Sequence, residues 1–433
     1  MVLRSAILNI ARSPQYQSWL KIGITFITGQ GILQVLQLLT GLVVVRNMPI
    51  EQYAQYTIAL ALQSTALSLV EGGFASSIID LVGGRVQNRE VIGAYVKAAA
   101  YFRNRLLLIV GLIFSIVFFF ITDRYNWSWE VRSLLLLSIL LSLVFSAYIN
   151  LYRPVLQIAK KFPLIYRAEI FQALLRLLCI GLLYLSVGLI AWQLALIGSL
   201  ILLFRGVALQ RSARDYMVEP VEVPTETKKE ILRYVKPLLP GIVFAAFQGQ
   251  ITIFLVGIFS NTQAIAEVGA LGRLSQIFLM FNMASGMLVI PYFARQSESG
   301  LLKKYISVIG LIFTILLSLI GFIYLFPDAL LWILGEQYIN LSDELLIMTI
   351  TASVNVLNGV MWNMNKSRKW IYSWMPIVSI PGIIIIQILG IVAMDLSSAW
   401  NVLLLGLYTA LFSLITRINV AFLGFKKIRR ENY

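Results

Sequence analysis

The sequence predicts an all-α polytopic membrane protein, with about twelve transmembrane helices in two six-helix bundles and both termini in the cytoplasm. Three observations predict it. Of 433 residues, 59% are hydrophobic, well above the roughly 45–50% of soluble domains. Apolar segments near the ~20 residues that a helix needs to cross the bilayer recur about a dozen times. Nearly all of the 35 Lys and Arg residues lie in every second loop, the positive-inside pattern. The exceptions are Arg46, Arg124 and Arg132 on the opposite side, and Arg176, Arg273 and Arg417 inside spans. A wrong span count would scramble this alternation.

Taken in order, residues 1–18 are basic and free of acids, and the Leu3, Ala6, Ile7, Ile10 spacing predicts a short helix on the cytoplasmic interface. Spans follow at 19–45 and 53–81. The next loop is basic (Arg85, Arg89, Lys97, Arg103, Arg105). Within it Ile92, Tyr95, Val96, Ala99 and Phe102 share a helical face, which predicts an amphipathic helix on the cytoplasmic leaflet. There each basic group would favour anionic lipid by about 1 kcal/mol. Spans at 105–122, 133–153, 168–187 and 189–209 complete the first bundle, 19–209. Residues 210–236 mix charge with Pro220 and Pro224 and read as a cytoplasmic linker. Spans at 237–259, 264–292, 304–326, 343–364, 371–394 and 398–423 form the second bundle, 237–424. The tail, 425–433, is basic.

Composition removes several function classes. With no histidine, His-based metal sites and acid–base chemistry are absent. The single cysteine, Cys179, forms no internal disulfide and reads as a packing residue. No P-loop sequence is present. No loop has room for a soluble domain, so no enzyme active site and no cofactor are expected. The net charge of +15 flanks membrane spans, which speaks against nucleic acid as a partner.

Six spans on each side of 210–236 would make the halves a parallel repeat about an axis along the membrane normal. Polar residues recur on single helix faces: Gln30, Gln34, Gln37 and Gly41; Ser64, Ser68 and Glu71; Gly241, Ala245, Gln248 and Thr252; Thr351, Asn355, Asn358 and Trp362. Stripes on the first two helices of one half and on matching helices of the other predict a shared central cavity. The alternative for each residue is hydrogen-bonding glue between packed helices, worth under ~2 kcal/mol.

The intramembrane charges are sharper, because each guanidinium costs at least about 2.5–3.5 kcal/mol at mid-membrane. Glu169, Gln172 and Arg176 share a face, so a Glu169–Arg176 pair locking helices is one expectation and Arg176 as a ligand-binding cation the other. Arg273 has no close acidic neighbour, since Glu267 lies toward the outer surface. It is the best candidate for a substrate-binding cation. Arg417 sits near the inner end of its span and is placed to snorkel.

Several stretches carry a resemblance. One is GLVVVRNMPIEQYAQYTIALAL at 41–62, where a Pro–Ile–Glu–Gln–Tyr turn leads into the second span. Others are the basic segment after it, YVKPLLPGIVFAAFQGQITIFLVGIF at 234–259 and IAEVGALGRLSQI at 265–277. With the layout they resemble the Wzx-type polysaccharide flippases of the multidrug/oligosaccharidyl-lipid/polysaccharide (MOP) superfamily, whose fold is MATE-like. The resemblance implies a flippase of the bacterial plasma membrane. It would move a polyprenyl-pyrophosphate-linked oligosaccharide outward by alternating access, alongside membrane lipids, glycosyltransferases and a polysaccharide polymerase. It also implies cavity cations facing the pyrophosphate, a part that Arg273 and Arg176 match by depth. A coupling proton or sodium ion would have Glu71 as its carboxylate. A MATE-like drug or cation antiporter of the same fold is the alternative, and would want a cavity dominated by carboxylates such as Glu71 and Asp80. A major-facilitator sugar transporter shares the span count, but residues 82–93 lack that family's Gly/Asp/Arg signature.

Overall fold

A computed structural model describes residues 14–431. All regular structure among them is helical. The helices are α1 (Pro14–Asn47), α2 (Ile50–Glu71), α3 (Phe74–Val82), α4 (Arg89–Asp123), α5 (Trp129–Ile158), α6 (Phe162–Ser186) and α7 (Ala191–Ala213). After them come α8 (Thr225–Val235), α9 (Leu239–Gln248), α10 (Ile251–Phe259), α11 (Thr262–Ala294), α12 (Leu301–Leu325) and α13 (Pro327–Leu334). The last three are α14 (Ser342–Ser367), α15 (Trp374–Ala393) and α16 (Ala399–Glu431). Among the described residues eleven spans are long and apolar enough to cross a membrane, or 12 when α9 and α10 count as one. The expected fold class is therefore present. The interfacial helix expected at the N-terminus falls largely outside the described residues.

Local chemistry accounts for the breaks. Gly72 and Gly73 take φ of 50° and 80° between α2 and α3, a conformation that costs glycine little. Asn88, Ser128 and Asn261 cap α4, α5 and α11 by accepting backbone N–H bonds through their side chains. The seventh span is not the continuous helix expected. It bends by 53° between α9 and α10, at the Gly249–Gln250 pair.

The chain falls into two compact units. One runs to Thr40 and takes in Ala59–Gln250; the other holds Gly41–Ile58 and everything from Ile251 onward. The division therefore falls within α1, within α2 and at the bend of the seventh span. It does not fall at 210–236, where the sequence placed the linker.

In the first unit α5 and α7 meet through small residues. Ser138, Ser142 and Ala147 on α5 and Ala195, Ser199 and Gly206 on α7 are buried, which lets helix backbones approach closely. Ser199 Oγ donates to the Ser138 carbonyl at 2.7 Å. The segment 214–236 is docked on the same unit. Val218 N–H donates to Arg89 O at 3.0 Å. Lys97 Nζ donates to the carbonyls of Pro220 and Val221 at 2.6 and 2.7 Å. Tyr95 hydroxyl donates to Glu230, and Tyr234 hydroxyl to Asp80. Ile231 and Val235 are fully buried, in one cluster with Ile92, Tyr95, Val96 and Ala99. This corrects the amphipathic helix expected on the leaflet. The face is real, but it begins the continuous helix α4 and is covered by protein, because α8 offers it a matching apolar stripe.

In the second unit, the end of α1 and the start of α2 are held by the segment after α12. The Arg46 guanidinium lies 4.5 Å over the Trp332 ring, and Gln337 Nε2 donates to the carbonyls of Val45 and Met48 at 3.1 and 3.3 Å. At the other end of the unit Tyr305, Trp370 and Phe425 form an aromatic cluster in which Phe425 meets both other rings edge-on.

Candidate functional site

The first unit contains a buried charge node. Glu169 on α6 is 2% exposed and faces two arginines from flanking helices. Arg205 Nη2 on α7 lies 2.8 Å from Glu169 Oε1, and Arg153 Nη2 on α5 lies 3.5 Å from the same oxygen. Arg205 Nη1 also donates to Gln172 Oε1 at 3.0 Å. Glu169 and Gln172, one turn apart, therefore grip one guanidinium fork. Glu71, half-buried at the end of α2, feels Arg153 electrostatically. Among the described residues Glu169 Oε2 has no hydrogen-bond partner, nor do the Nε groups of Arg153 and Arg205.

This corrects the expected Glu169–Arg176 pair. Arg176 shares a face with Glu169 in sequence, but its guanidinium lies along α7 at Gly198, where a Cβ would stand 3.6 Å from Nη2. Arg205 and Arg153 were counted with cytoplasmic loops. The available signal was that Arg205 falls within the apolar run 189–209 itself. Buried Arg103 was missed in the same way. Its guanidinium donates to the Ala147 carbonyl and, at 2.7 Å, to Asn104 Oδ1.

The second unit holds two intramembrane arginines of a different kind. Arg273, half-buried on α11, donates from Nε to the Tyr53 hydroxyl at 3.3 Å. Its stem passes Gly41, where a Cβ would stand 3.2 Å from Cδ. Gly41, singled out on the polar stripe of the first span, thus makes room for this side chain. Arg417 on α16 stacks over Trp362 at 4.5 Å. Among the described residues neither arginine has a carboxylate within ion-pair distance.

The other candidates divide. Gln34 is buried; Gln30 and Gln248 are half-buried and engaged; Gln37 and Asn355 are exposed. Asn358 Nδ2 donates to the Ala410 carbonyl at 3.0 Å, a bond that ties α14 to α16. Among the described residues no cluster of three or more His, Cys, Asp or Glu could hold a metal ion.

No family model and no curated protein sequence matches the chain. Solved structures do. A multidrug-resistance MATE transporter of the MOP superfamily in an inward-facing conformation superposes with a TM-score of 0.61 at 14% identity, over 91% of this chain and 96% of that one. The eukaryotic MATE transporter AtDTX14 gives 0.57 at 11%, over 95% and 98%. A MOP-superfamily transporter from Pyrococcus furiosus, described as having a binding pocket of reverse polarity and a different function, gives 0.53 at 15%, over 98% and 97%. The chain has the MATE-like fold. At these identities the likeness extends to architecture and no further. Among the described residues of this MATE-like architecture the intramembrane guanidinium groups outnumber the carboxylates, and Arg273 and Arg417 of the second unit have no carboxylate within ion-pair distance.

Proposed function

We propose that this protein is an exporter of an anionic lipid-linked substrate, a polyprenyl-pyrophosphate oligosaccharide, across a bacterial plasma membrane by alternating access. The observation that carries the reading is Arg273. A guanidinium at this depth without a carboxylate is expensive, and among the described residues its hydrogen bond is to a neutral phenol. A diphosphate would supply the missing charge and fit the guanidinium fork.

The rest of the chemistry supports this reading. Of the two acids that a cation antiporter would want, Glu71 lies in the field of Arg153 and Asp80 accepts from the Tyr234 hydroxyl, while the buried Glu169 is opposed by Arg205 and Arg153. Polar Gln and Asn groups suit a glycan. The prenyl tail can stay in lipid. An inside-negative potential drives an anion outward by about 2.3 kcal/mol per charge per 100 mV. Glycosyltransferases and a polymerase would be the working partners, and Glu71 the carboxylate of a coupling proton or sodium ion.

The test is glycan export in cells, normalised to the amount of protein in the membrane. Arg273→Ala should lose about 30-fold or more, since removing a charged partner from a buried site costs about 2–5 kcal/mol in binding. Arg273→Lys should rescue in part, because ammonium lacks the fork. Arg273→Glu should be at least as damaging as alanine. Full activity of Arg273→Ala would leave Arg273 a helix-packing residue and remove the case for an anionic cargo.

A further inference from the structure

Arg417 was expected to snorkel. Its guanidinium lies over the Trp362 ring at 4.5 Å, and Nη1 points at the thioether of Met375, 3.3 Å away. Thioether sulfur is a weak acceptor, and a guanidinium carries five donors. The cation therefore has a platform but almost no hydrogen-bond partner. The platform is firmly built. Asn365, fully buried, donates from Nδ2 to the Arg417 carbonyl at 3.2 Å and accepts from Tyr305 hydroxyl at 3.0 Å. That pins α14, α12 and α16 together at this level. Met375 is buried beneath, while Trp362 and Arg417 are each half-buried and so remain accessible.

Depth and neighbours define the ligand. Arg417 lies about 27 Å along α16 from Ala399 at ~1.5 Å per residue, near the far edge of a hydrocarbon core ~30 Å thick. By the charge pattern that edge is the cytoplasmic one. Lys366 stands one turn beyond Trp362 on the same face of α14 and is exposed. A guanidinium held 4.5 Å over an indole, short of acceptors, with an ammonium one turn toward the cytoplasm, matches a phosphate ester at headgroup depth.

We propose that Trp362, Arg417 and Lys366 form a binding site for the phosphate of an inner-leaflet lipid. The site is separate from Arg273 and does not depend on which cargo the protein moves.

The test uses the purified full chain in neutral detergent. Phosphatidylglycerol is added, and both the unfolding temperature and the bound lipid by native mass spectrometry are read. Phosphatidylglycerol should raise the unfolding temperature and stay bound, and phosphatidylcholine should do neither. Arg417→Gln should weaken the apparent affinity by about 30-fold or more, the consequence of removing a charged partner that the bound phosphate would desolvate. Arg417→Lys should weaken it less, and Arg430→Gln on the distal helix end should leave it unchanged. Trp362→Leu keeps the charge and removes the platform, so it carries the same test should Arg417→Gln fail to fold; it too should weaken binding. Wild-type phosphatidylglycerol affinity in either Arg417→Gln or Trp362→Leu would overturn the site. An equal, Arg417-dependent rise with inorganic phosphate would overturn the lipid as its source.

Discussion

Replacing Glu169 by alanine should destabilise the first unit by about 3–5 kcal/mol. The carboxylate is 2% exposed, and its Oε1 lies 2.8 Å from Arg205 and 3.5 Å from Arg153. At an effective dielectric of 20 the Arg205 attraction is about 6 kcal/mol. The Arg153 side chain is 37% exposed, so solvent screens it, and at a water-like dielectric the same expression gives about 1 kcal/mol. Desolvation cancels much of the gross attraction while the pair is intact. Removing one partner leaves the other charge buried and uncompensated, which costs about 3–5 kcal/mol. The assay is equilibrium unfolding in mixed micelles, followed by tryptophan fluorescence. Glu169→Ala and Arg205→Ala should each lose about 3–5 kcal/mol, and the double variant much less than their sum, because they remove one interaction. Arg153→Ala should lose under ~1 kcal/mol, the range of an exposed pair. Additive losses for Glu169→Ala and Arg205→Ala, or a loss for Arg153→Ala as large as for Arg205→Ala, would refute the node as described.

Other outcomes follow from the same structure. Gly93→Ala should raise helix propensity by about 1 kcal/mol, yet its Cβ would run into the Val218 backbone carbonyl; the variant should therefore be nicked faster by protease within 217–224, and unchanged proteolysis would mean the segment is not docked there. Tyr234 donates to Asp80, and that bond holds its phenol above the ordinary 10.0. The folded-state value is raised, so the stabilisation is fully present below pH 10 and is lost as pH rises through the folded value; Tyr234→Phe should show a smaller stability loss between neutral and strongly alkaline pH than wild type. A label that reaches only cytoplasmic sites should mark 215–230 and the basic tail and spare 124–130 and 336–342, and labelling of those outer positions would reverse the topology.

Much of this architecture was legible because it depends on local quantities. Hydrophobic length sets a span, and flanking charge sets its direction, so the spans and the MATE-like layout could be read along the chain. Caps and glycine breaks are similarly local. The apolar face Ile92–Tyr95–Val96–Ala99 was also visible, but periodicity cannot say whether a face meets lipid or protein. That depended on α8 returning from residue 225 to cover it. Arg103, Arg153 and Arg205 were missed for a related reason: a basic residue within a turn or two of a span end looks like a membrane-flanking charge until packing buries it.

By itself, then, the sequence determined an all-helical membrane protein with basic residues in alternate loops and uncompensated charge at Arg273, because those properties need only a residue and its neighbours along the chain. Tertiary structure decided the partners. Glu169 meets Arg205 and Arg153 rather than Arg176 because α5, α6 and α7 converge at that level. Arg417 lies on Trp362 because Asn365 pins two helices there. Charges in a low-dielectric interior interact over a few ångströms, and those few ångströms are set by helix packing rather than by spacing in sequence.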